Sequence, residues 1–432
     1  MQRIIQKVLA SIQPTPEEAR AEKHFADDLV RTFQMFAPEG TRAVLTGSMA
    51  KGTFLRDKKD VDIFVLFDRK TRREHLEGFV KGIMAKALPG IGYQLSYAEH
   101  PYIRFHLHGR RIDLVPAYDI TDSSQRQSAV DRSVLHTKFV NSRLGKDRIK
   151  DVLLLKAFLK SSSLYGAEIK TKGFSGYLCE LLVIRYGSFP RLLRAAQKWN
   201  GPIFIDIKGY HKGKARISTM QKALGDFVVI DPTDPERNVA AAVSADSLKR
   251  FISLCKAFNK KPSEGFFNRK PEPFDQKAER LARGKGAHVY ILTMPRPEVV
   301  DDILWGQLYR MIGQLEDHLS DFSPKTIIAD DSRHLIKIAL SLGKDLLPPT
   351  LLLEGPPLEM EQNVKEFTKK HRGARFYIRK RKMCAEIKRK IRDPKSAIES
   401  FLRGYSKNRS HLACGEELVI IEKMGGKKKR RK

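Results

Sequence analysis

Several kinds of residue and segment are scarce in this sequence of 432 residues, and each scarcity excludes a class of protein. The four cysteines, Cys179, Cys255, Cys384 and Cys414, form no Cys-x-x-Cys pair, so neither a disulfide framework nor a cysteine zinc site is expected. No apolar run is long enough to cross a membrane, and polar residues interrupt the N-terminal segment too often for a signal peptide. We therefore expect a protein of the reducing cytoplasm without membrane attachment.

Acidic residues are also in short supply. The chain has 50 Asp and Glu against 81 Lys and Arg, which gives a formal net charge of +31. An excess of this size predicts a polyanionic partner, most simply nucleic acid. An anionic membrane surface is the alternative, but no lipidation motif supports it. The length and the hydrophobic content of 41% indicate a folded protein of roughly two to four domains.

The first chemical motif joins a Gly-Ser turn to a pair of aspartates. An apolar segment predicts a strand, and Gly47-Ser48 would turn it into a helix whose free N–H groups can hold phosphate oxygens. Asp60 and Asp62 follow in a second strand rich in Val, Ile and Phe, which places their Cα atoms roughly 7 Å apart on one face. Asp113 lies in a third such segment. Three converging acids would repel one another without a cation, so this pattern predicts a two-metal site for Mg²⁺ and phosphoryl transfer.

Each part of this motif also fits a purely structural role. A Gly-Ser turn is commonly just an N-cap, and Asp-x-Asp on a strand commonly faces solvent. The order of the parts, with a third acid downstream, favours the metal site.

This order of motifs resembles the nucleotidyltransferase signature of the polymerase-beta-like superfamily. Over nearly the whole chain, the sequence is similar to the archaeal (class I) CCA-adding enzymes, the tRNA nucleotidyltransferases. The similarity is carried by residues 47–62, 97–102, 128–132, 165–168, 173–182, 231–232, 237–241 and 296–302, with Asp113. The resemblance implies addition and repair of the 3′-terminal CCA of tRNA from CTP and ATP, without a nucleic-acid template and with release of pyrophosphate.

The resemblance also implies a set of functional positions. Asp60, Asp62 and Asp113 would be catalytic and bind Mg²⁺. The nucleotide contacts would be Ser48, Lys51, His136, Lys156, Tyr165 and Arg237, with Arg237 reading the base. The family commonly has arginine where this chain has Lys51, and lysine keeps the charge but loses the bidentate fork. From the local pattern alone, Lys156 would extend to solvent, Tyr165 would be a core residue and Arg237 would be exposed.

The predicted fold class is α+β with several domains. Thr15, Pro16 and Glu18 predict a capped helix that runs to about Phe36 beside a small mixed or mostly antiparallel sheet. With the resemblance, the chain divides into a nucleotidyltransferase head (1–145), a helical neck that recognises the nucleotide (146–265), an α/β body (266–320 with 386–432) and a tRNA-binding tail (321–385).

Basic residues are concentrated between positions 372 and 392. This segment has ten Lys or Arg and one acid, Glu386, interleaved with Phe376, Tyr377 and Ile378. It predicts contacts with phosphates of the tRNA acceptor stem, and a merely solvated basic face is the alternative. The basic C-terminal residues 427–432 are expected to be disordered and to add nonspecific attraction. The oligomeric state is open between a monomer and a homodimer.

Two rival functions stay open. A poly(A) polymerase or an oligoadenylate synthetase-like enzyme would share the Gly-Ser turn and the Asp-x-Asp strand. A catalytically silent RNA-binding protein would share the basic segments, but the intact Asp60, Asp62 and Asp113 count against it.

Overall fold

The computed structural model describes residues 1–97, 101–405, 412 and 419–424, which form two compact units, Met1–Pro271 and Glu272–Lys432. Every residue predicted for the active site belongs to the first unit. Helices and sheets are mixed in both units, which confirms the α+β class. No helix in the described part of the chain is long and apolar enough to span a membrane.

The first unit contains most of the helices. In chain order its elements are α1 (Gln2–Ile12), α2 (Pro16–Phe36), β1 (Arg42–Thr46), α3 (Gly47–Lys51), β2 (Val61–Phe67), α4 (Arg73–Ala87), β3 (Tyr93–Tyr97), β4 (Pro101–Leu107), β5 (Arg110–Tyr118), α5 (Arg132–Arg143), α6 (Ile149–Lys160), α7 (Gly176–Tyr186), α8 (Phe189–Ala196), β6 (Ile203–Ile205), α9 (Lys214–Leu224), β7 (Phe227–Asp231), β8 (Asp234–Asn238) and α10 (Ala245–Lys260).

The start of α2 has the predicted capping box. The Glu18 backbone N–H donates to Thr15 Oγ1 at 3.2 Å, and the Thr15 N–H donates to Glu18 Oε2 at 2.8 Å. The sequence missed α9, which lies where it indicated only strand-like pieces. None of the residues of α9 is buried, so the helix shows no apolar face from which its period could be read.

A five-stranded sheet positions the predicted catalytic residues. Its strand order is β1-β2-β5-β4-β3, and only the β2–β5 pair is parallel, so the predicted mostly antiparallel sheet is confirmed. Val61, Ile63 and Val65 of β2 pack into the core formed with α2 and α4. Because side chains alternate along a strand, Asp62 projects from the opposite face.

A second core in the first unit joins α1, α6, α7, α8 and α10. Helix α6 is buried from Asp151 to Leu159 without a break, so it has no solvent-facing side in this stretch. Lys156, in the middle of this stretch, therefore cannot extend to solvent as the local pattern alone indicated, and it needs a buried partner.

The second unit consists of two small sheets with helices. Its elements are α11 (Phe274–Ala282), β9 (His288–Pro295), α12 (Asp301–His318), β10 (Pro324–Asp331), β11 (Leu335–Leu342), β12 (Thr350–Pro357), α13 (Glu361–Lys370), β13 (Arg375–Arg379), β14 (Lys382–Lys388), α14 (Pro394–Tyr405) and β15 (Ile420–Met424).

The strand pairing of the second unit divides the predicted tail. Strands β10 and β11, within the range predicted for the tail, form one sheet with β9 and β15 in the order β10-β11-β9-β15. Strands β12, β14 and β13 form a separate sheet, and the predicted RNA-binding segment supplies its β13–β14 hairpin. Cys414, residues 98–100 of the stretch 97–102, and the basic residues 427–432 lie outside the described residues.

Candidate active site

The candidate site begins with a row of facing residues across four strands. Thr46 of β1 faces Asp62 of β2, Asp62 faces Asp113 of β5, and Asp113 faces Arg104 of β4. Residues in register on neighbouring strands project from the same face of a sheet, so Asp62 and Asp113 project side by side. Asp60 directly precedes β2, one residue outside the strand that the sequence predicted for it.

The charges of the three aspartates affect one another. Burial, together with the neighbouring charges of Asp113 and Asp60, raises the pKa of Asp62 to about 6. Burial is the larger cause, and the two like charges add to it. The sheet therefore brings Asp60, Asp62 and Asp113 together, as the sequence predicted.

Two arginines already compensate part of this charge. Arg104 holds Asp113 through two hydrogen bonds, from Nε to Oδ1 at 2.7 Å and from Nη2 to Oδ2 at 2.8 Å. Arg111 donates from Nη2 to Asp60 Oδ2 at 2.7 Å. Among the residues that the structure describes, no three His, Cys, Asp or Glu side chains stand ready to hold a metal ion.

The donor chemistry nevertheless fits a hard divalent cation. The three carboxylates offer only oxygen ligands, and the charges of Asp113 and Asp60 contribute to the raised pKa of Asp62, an effect that a bound cation would oppose. A metal shared by all three would compete with Arg104 for Asp113 and with Arg111 for Asp60. Metal binding by these residues stays a prediction.

Gly47 allows the Gly-Ser turn to approach the carboxylate of Asp62. Its φ is +68°, and a Cβ atom there would lie 1.9 Å from Asp62 Oδ2. No residue with a side chain fits this position without moving Asp62. The predicted helix after the turn is α3, which has five residues and ends at Gly52 in the left-handed conformation.

A cavity of about 270 Å³ opens beside this turn. Its wall includes six of the predicted residues: Ser48, Lys51, Asp60, Asp62, Lys156 and Tyr165. Of the other predicted residues, Asp113, His136 and Arg237 do not line this cavity. The cavity thus joins the Gly-Ser turn and two aspartates to the cations that the resemblance assigns to the nucleotide.

Glu180 of α7 is the partner of both lysines in this cavity. Lys51 Nζ donates to Glu180 Oε2 at 2.5 Å, and Lys156 Nζ lies 3.5 Å from Glu180 Oε1. Lys156 also donates to the carbonyl oxygen of Thr53 at 2.8 Å, and the Thr53 hydroxyl donates to Glu180 Oε1 at 2.5 Å. The side chains of Lys51, Lys156 and Glu180 are 7%, 2% and 1% exposed.

Burial and the two lysines act in opposite directions on Glu180. Burial alone would raise the pKa of Glu180, but the charges of Lys51 and Lys156 hold it below its usual value. Burial lowers the pKa of Lys156, and the charge of Glu180 opposes that effect. The three side chains therefore form one charge-compensated cluster that depends on the carboxylate.

We expect Glu180→Gln to lower the free energy of unfolding by about 3–5 kcal/mol, because the change leaves two lysines without their buried anion. Chemical denaturation with urea measures the loss. Glu39→Gln removes the same charge at an exposed position and should change stability by no more than about 0.5 kcal/mol. A similar small change in Glu180→Gln would contradict the compensation of the lysines by Glu180.

His136 and Arg237 meet at a second buried carboxylate, that of Asp231. His136 Nε2 lies 2.8 Å from Asp231 Oδ2, and Arg237 Nη1 donates to the same oxygen at 2.9 Å. The Tyr177 hydroxyl donates to Asp231 Oδ1 at 3.1 Å, and the Tyr177 ring stacks on the His136 ring with centroids 4.0 Å apart. Arg237 also lines a second cavity, of about 650 Å³.

The sequence named neither Glu180 nor Asp231 as a functional residue, although both lie in stretches that carry the family resemblance. A signal was available for Glu180, because it interrupts the apolar helix segment 177–183 and a buried acid needs a partner. Arg104 and Arg111 gave no comparable signal. Their partners become evident only from the pairing of β2, β4 and β5.

Comparison with protein families gives three matches along the chain. A model of the nucleotidyltransferase domain matches residues 26–136, and one of the second domain of tRNA nucleotidyltransferases matches residues 150–268. A model of the C-terminal domain of CCA-adding enzymes matches residues 285–412.

Curated relatives match over nearly their full length. A CCA-adding enzyme of Archaeoglobus fulgidus is 33% identical over 93% of this chain and 89% of its own length. Another, from Methanocaldococcus jannaschii, is 36% identical over 90% of this chain and 88% of its own. A third, from Thermoplasma acidophilum, is 38% identical over 83% of this chain and 80% of its own.

Among solved structures, the Cid1 poly(U) polymerase bound to MgATP has a similar fold. Its TM-score is 0.50 at 16% identity, and the match covers 62% of this chain and 98% of that one. Similarity at this level of identity describes the fold alone.

Proposed function

This chain belongs to the CCA-adding enzyme family, and we propose that Asp60, Asp62 and Asp113 carry out the nucleotidyl transfer of that family in the first unit. The enzyme adds CMP, CMP and AMP to the 3′ end of tRNA from CTP and ATP, without a nucleic-acid template. The observation that supports the residue assignment is the side-by-side projection of Asp62 and Asp113, with Gly47 against the Asp62 carboxylate.

The reaction is a substitution at phosphorus. The 3′ oxygen of the tRNA bonds to the α-phosphorus of the nucleotide, the bond to the bridging oxygen breaks, pyrophosphate leaves, and the hydroxyl proton passes to a base. Such transfer needs little more than positioning and charge neutralisation. The family requires a divalent metal, which supplies Lewis-acid neutralisation of the phosphate when it is bound.

We propose that the metal is Mg²⁺ and that Asp60 and Asp62 hold it, since carboxylate oxygens are the donors that this ion prefers. Asp113 would orient the attacking 3′ hydroxyl or accept its proton. In the structure Asp113 faces Asp62 across one strand pair, which supports a role at the same phosphate.

Ser48, Lys51, Lys156 and Tyr165 are proposed to hold the triphosphate, because they line one cavity with Asp60 and Asp62. Lys51 and Lys156 carry two positive charges against the single negative charge of Glu180, so this part of the cavity keeps one positive charge that can attract a phosphate. We propose that Arg237 reads the base, because its guanidinium has five donors and can satisfy acceptors on both cytosine and adenine.

The tRNA is proposed to contact the basic hairpin β13–β14 of the second unit. Residues Arg375, Arg379, Lys380 and Arg381 are exposed there. Because double-stranded A-form RNA is recognised mostly by its shape and backbone, these side chains would contact phosphates rather than base edges.

We further propose a cytoplasmic location, in keeping with three free cysteines, Cys179, Cys255 and Cys384, in the described part of the chain. For the oligomeric state, a homodimer is to be tested against a monomer. Light scattering during size-exclusion chromatography gives the mass directly.

Incubation with labelled nucleotides tests the function against a poly(A) polymerase. A tRNA that lacks its last three nucleotides should gain two residues from CTP alone and three from CTP with ATP, and then stop. An intact tRNA should gain none. Growth beyond three nucleotides, or addition that does not depend on CTP, would favour a poly(A) polymerase or an oligoadenylate synthetase-like enzyme. No addition with retained tRNA binding would favour a silent RNA-binding protein.

A further inference from the structure

We propose that Asp231 is a positioning residue that sets which hydrogen bonds His136 and Arg237 can offer to the nucleotide. The proposal rests on the proposed function, in which Arg237 reads the base, and on the nucleotide contact that the family resemblance assigns to His136. It adds a role for a buried carboxylate that lines neither of the two cavities described above.

The carboxylate of Asp231 is fully buried and accepts hydrogen bonds on both oxygens. Oδ2 faces His136 Nε2 and accepts from Arg237 Nη1. Oδ1 accepts from the Tyr177 hydroxyl, from the Thr233 N–H at 2.9 Å and from the Thr233 hydroxyl at 2.8 Å. These partners come from α5, α7 and the β7–β8 hairpin, so one side chain fixes groups on three parts of the unit.

This arrangement determines the tautomer of His136. Burial alone would raise the pKa of Asp231, but the hydrogen bond from His136 and the charge of Arg237 hold this pKa well below its usual value. The carboxylate can therefore only accept hydrogen bonds. His136 Nε2 must therefore donate. Arg237 already donates to the same carboxylate oxygen, so a second cation beside it is disfavoured. Burial lowers the pKa of His136, against the effect of Asp231, and this also favours the neutral ring with a lone pair on Nδ1.

A lone pair on Nδ1 restricts what His136 can recognise. An acceptor repels a phosphate oxygen that carries no proton, but it can accept a hydrogen bond from a hydroxyl group. The ligand group suited to His136 is therefore a ribose hydroxyl of a ribonucleotide rather than its triphosphate. The stacked Tyr177 ring, also bonded to Asp231, holds the imidazole plane for this contact.

Asp231 also orients Arg237. One N–H of the guanidinium is used by Asp231, while the side chain remains 33% exposed and lines the cavity of about 650 Å³. The two neighbouring arginines pair with a different carboxylate: Nη1 of Arg132 and Nη1 of Arg126 lie 3.1 Å and 3.4 Å from Asp234 Oδ2. Arg237 is thus anchored at one corner by Asp231, and its other donors remain for the acceptors of a base.

Asparagine at position 231 would have nearly the same shape but could not replace the carboxylate. Only one of its two terminal atoms accepts hydrogen bonds, whereas both oxygens of Asp231 receive donors. In one orientation its NH₂ group meets His136 and Arg237, and in the other it meets the Thr233 N–H. Either orientation places donors against donors, and the first also favours the other tautomer of His136, as in the Asp→Asn change of serine-protease triads.

The test compares Asp231→Asn with the wild-type enzyme on tRNA that lacks its CCA end. The readout is kcat/KM for CTP, ATP, UTP, GTP and 2′-deoxy-CTP. We expect kcat/KM for CTP to fall about 10–100-fold, the range for hydrogen bonds to a charged group. Because Arg237 and His136 both lose their orientation, the preferences for CTP over UTP and for CTP over 2′-deoxy-CTP should fall as well.

His136→Gln provides a second, milder variant. Glutamine can still donate to Asp231 but places no acceptor where Nδ1 was. It should reduce the preference for CTP over 2′-deoxy-CTP about three- to tenfold, the value of one neutral hydrogen bond, and leave the preference for CTP over UTP intact.

Asp151→Asn is the matched control for a buried aspartate of the same unit. Within the described part of the chain, Asp151 accepts only from the backbone N–H of Phe189, at 2.8 Å, which asparagine can also do. Both preferences should therefore stay at the wild-type values. Equal losses for all five nucleotides in Asp231→Asn, or an unchanged deoxynucleotide preference in His136→Gln, would overturn the proposal. A wild-type enzyme that does not add CCA would instead overturn the proposed function.

Discussion

Replacement of Asp62 by alanine is expected to reduce nucleotide incorporation by at least about 10³-fold while tRNA affinity stays nearly unchanged. Asp62 lies at the centre of the row from Thr46 to Arg104 and directly faces Asp113, and the charges of Asp113 and Asp60 contribute to its raised pKa. The change removes no basic side chain that could contact RNA phosphates. Single-turnover incorporation of CMP and an electrophoretic binding assay measure the two quantities separately.

Asp68→Ala is the matched control, because this aspartate directly follows the same strand but is exposed. It should retain wild-type incorporation. If Asp62→Ala were as active as Asp68→Ala, Asp62 could not hold the catalytic metal. If tRNA affinity and incorporation fell together in Asp62→Ala, the aspartate would act on RNA binding or on folding.

The second large effect is expected from Gly47→Ala. The added Cβ would lie 1.9 Å from Asp62 Oδ2, so the carboxylate must move. A displacement of about 1 Å at a reacting group can cost about 10²-fold in rate, and we expect at least that loss of kcat. The strain of a positive φ should cost only about 1–3 kcal/mol of folding free energy.

Gly40→Ala separates these two effects. Gly40 has a similar φ of +75°, and a Cβ there would meet no atom within 4 Å. It should show the same loss of stability in urea but normal incorporation. Equal activities in the two alanine variants would show that the approach of Gly47 to Asp62 does not matter for the reaction.

The sequence predicted the core of the site because its signals are local. The spacing of Asp60 and Asp62 follows from the two-residue period of a strand, and a capping box identifies the start of α2. The position of Asp62 opposite Asp113 has no such local signal. It depends on the parallel pairing of two strands separated by α4, β3 and β4, and no local pattern encodes that register.

The roles of charged residues were the hardest to predict. The resemblance assigned Lys51 and Lys156 to the nucleotide, but it did not indicate that Glu180 holds both of them in the structure. The local pattern also indicated that Lys156 would reach solvent, which the burial of α6 rules out. Long-range pairs of this kind depend on helix packing, which a single sequence does not reveal.

The sequence also gave little information on the boundaries of the predicted tail. Proline-rich loops suggested a tail over 321–385, whereas β10 and β11 pair with β9 and only β12 to β14 form a separate sheet. Each short strand has turn residues on both sides, so the sequence marks where strands end but not which strands pair.

The central claim is that Asp60, directly before β2, and Asp62, within it, bind the catalytic metal. Its most direct test is the anomalous scattering of Mn²⁺ in crystals of the full chain grown with a non-hydrolysable CTP analogue. We expect a peak within about 2.3 Å of carboxylate oxygens of both Asp60 and Asp62, with Arg111 displaced from Asp60. Bound nucleotide with no Mn²⁺ at these residues, and with the pairs Asp60–Arg111 and Asp113–Arg104 intact, would contradict the claim.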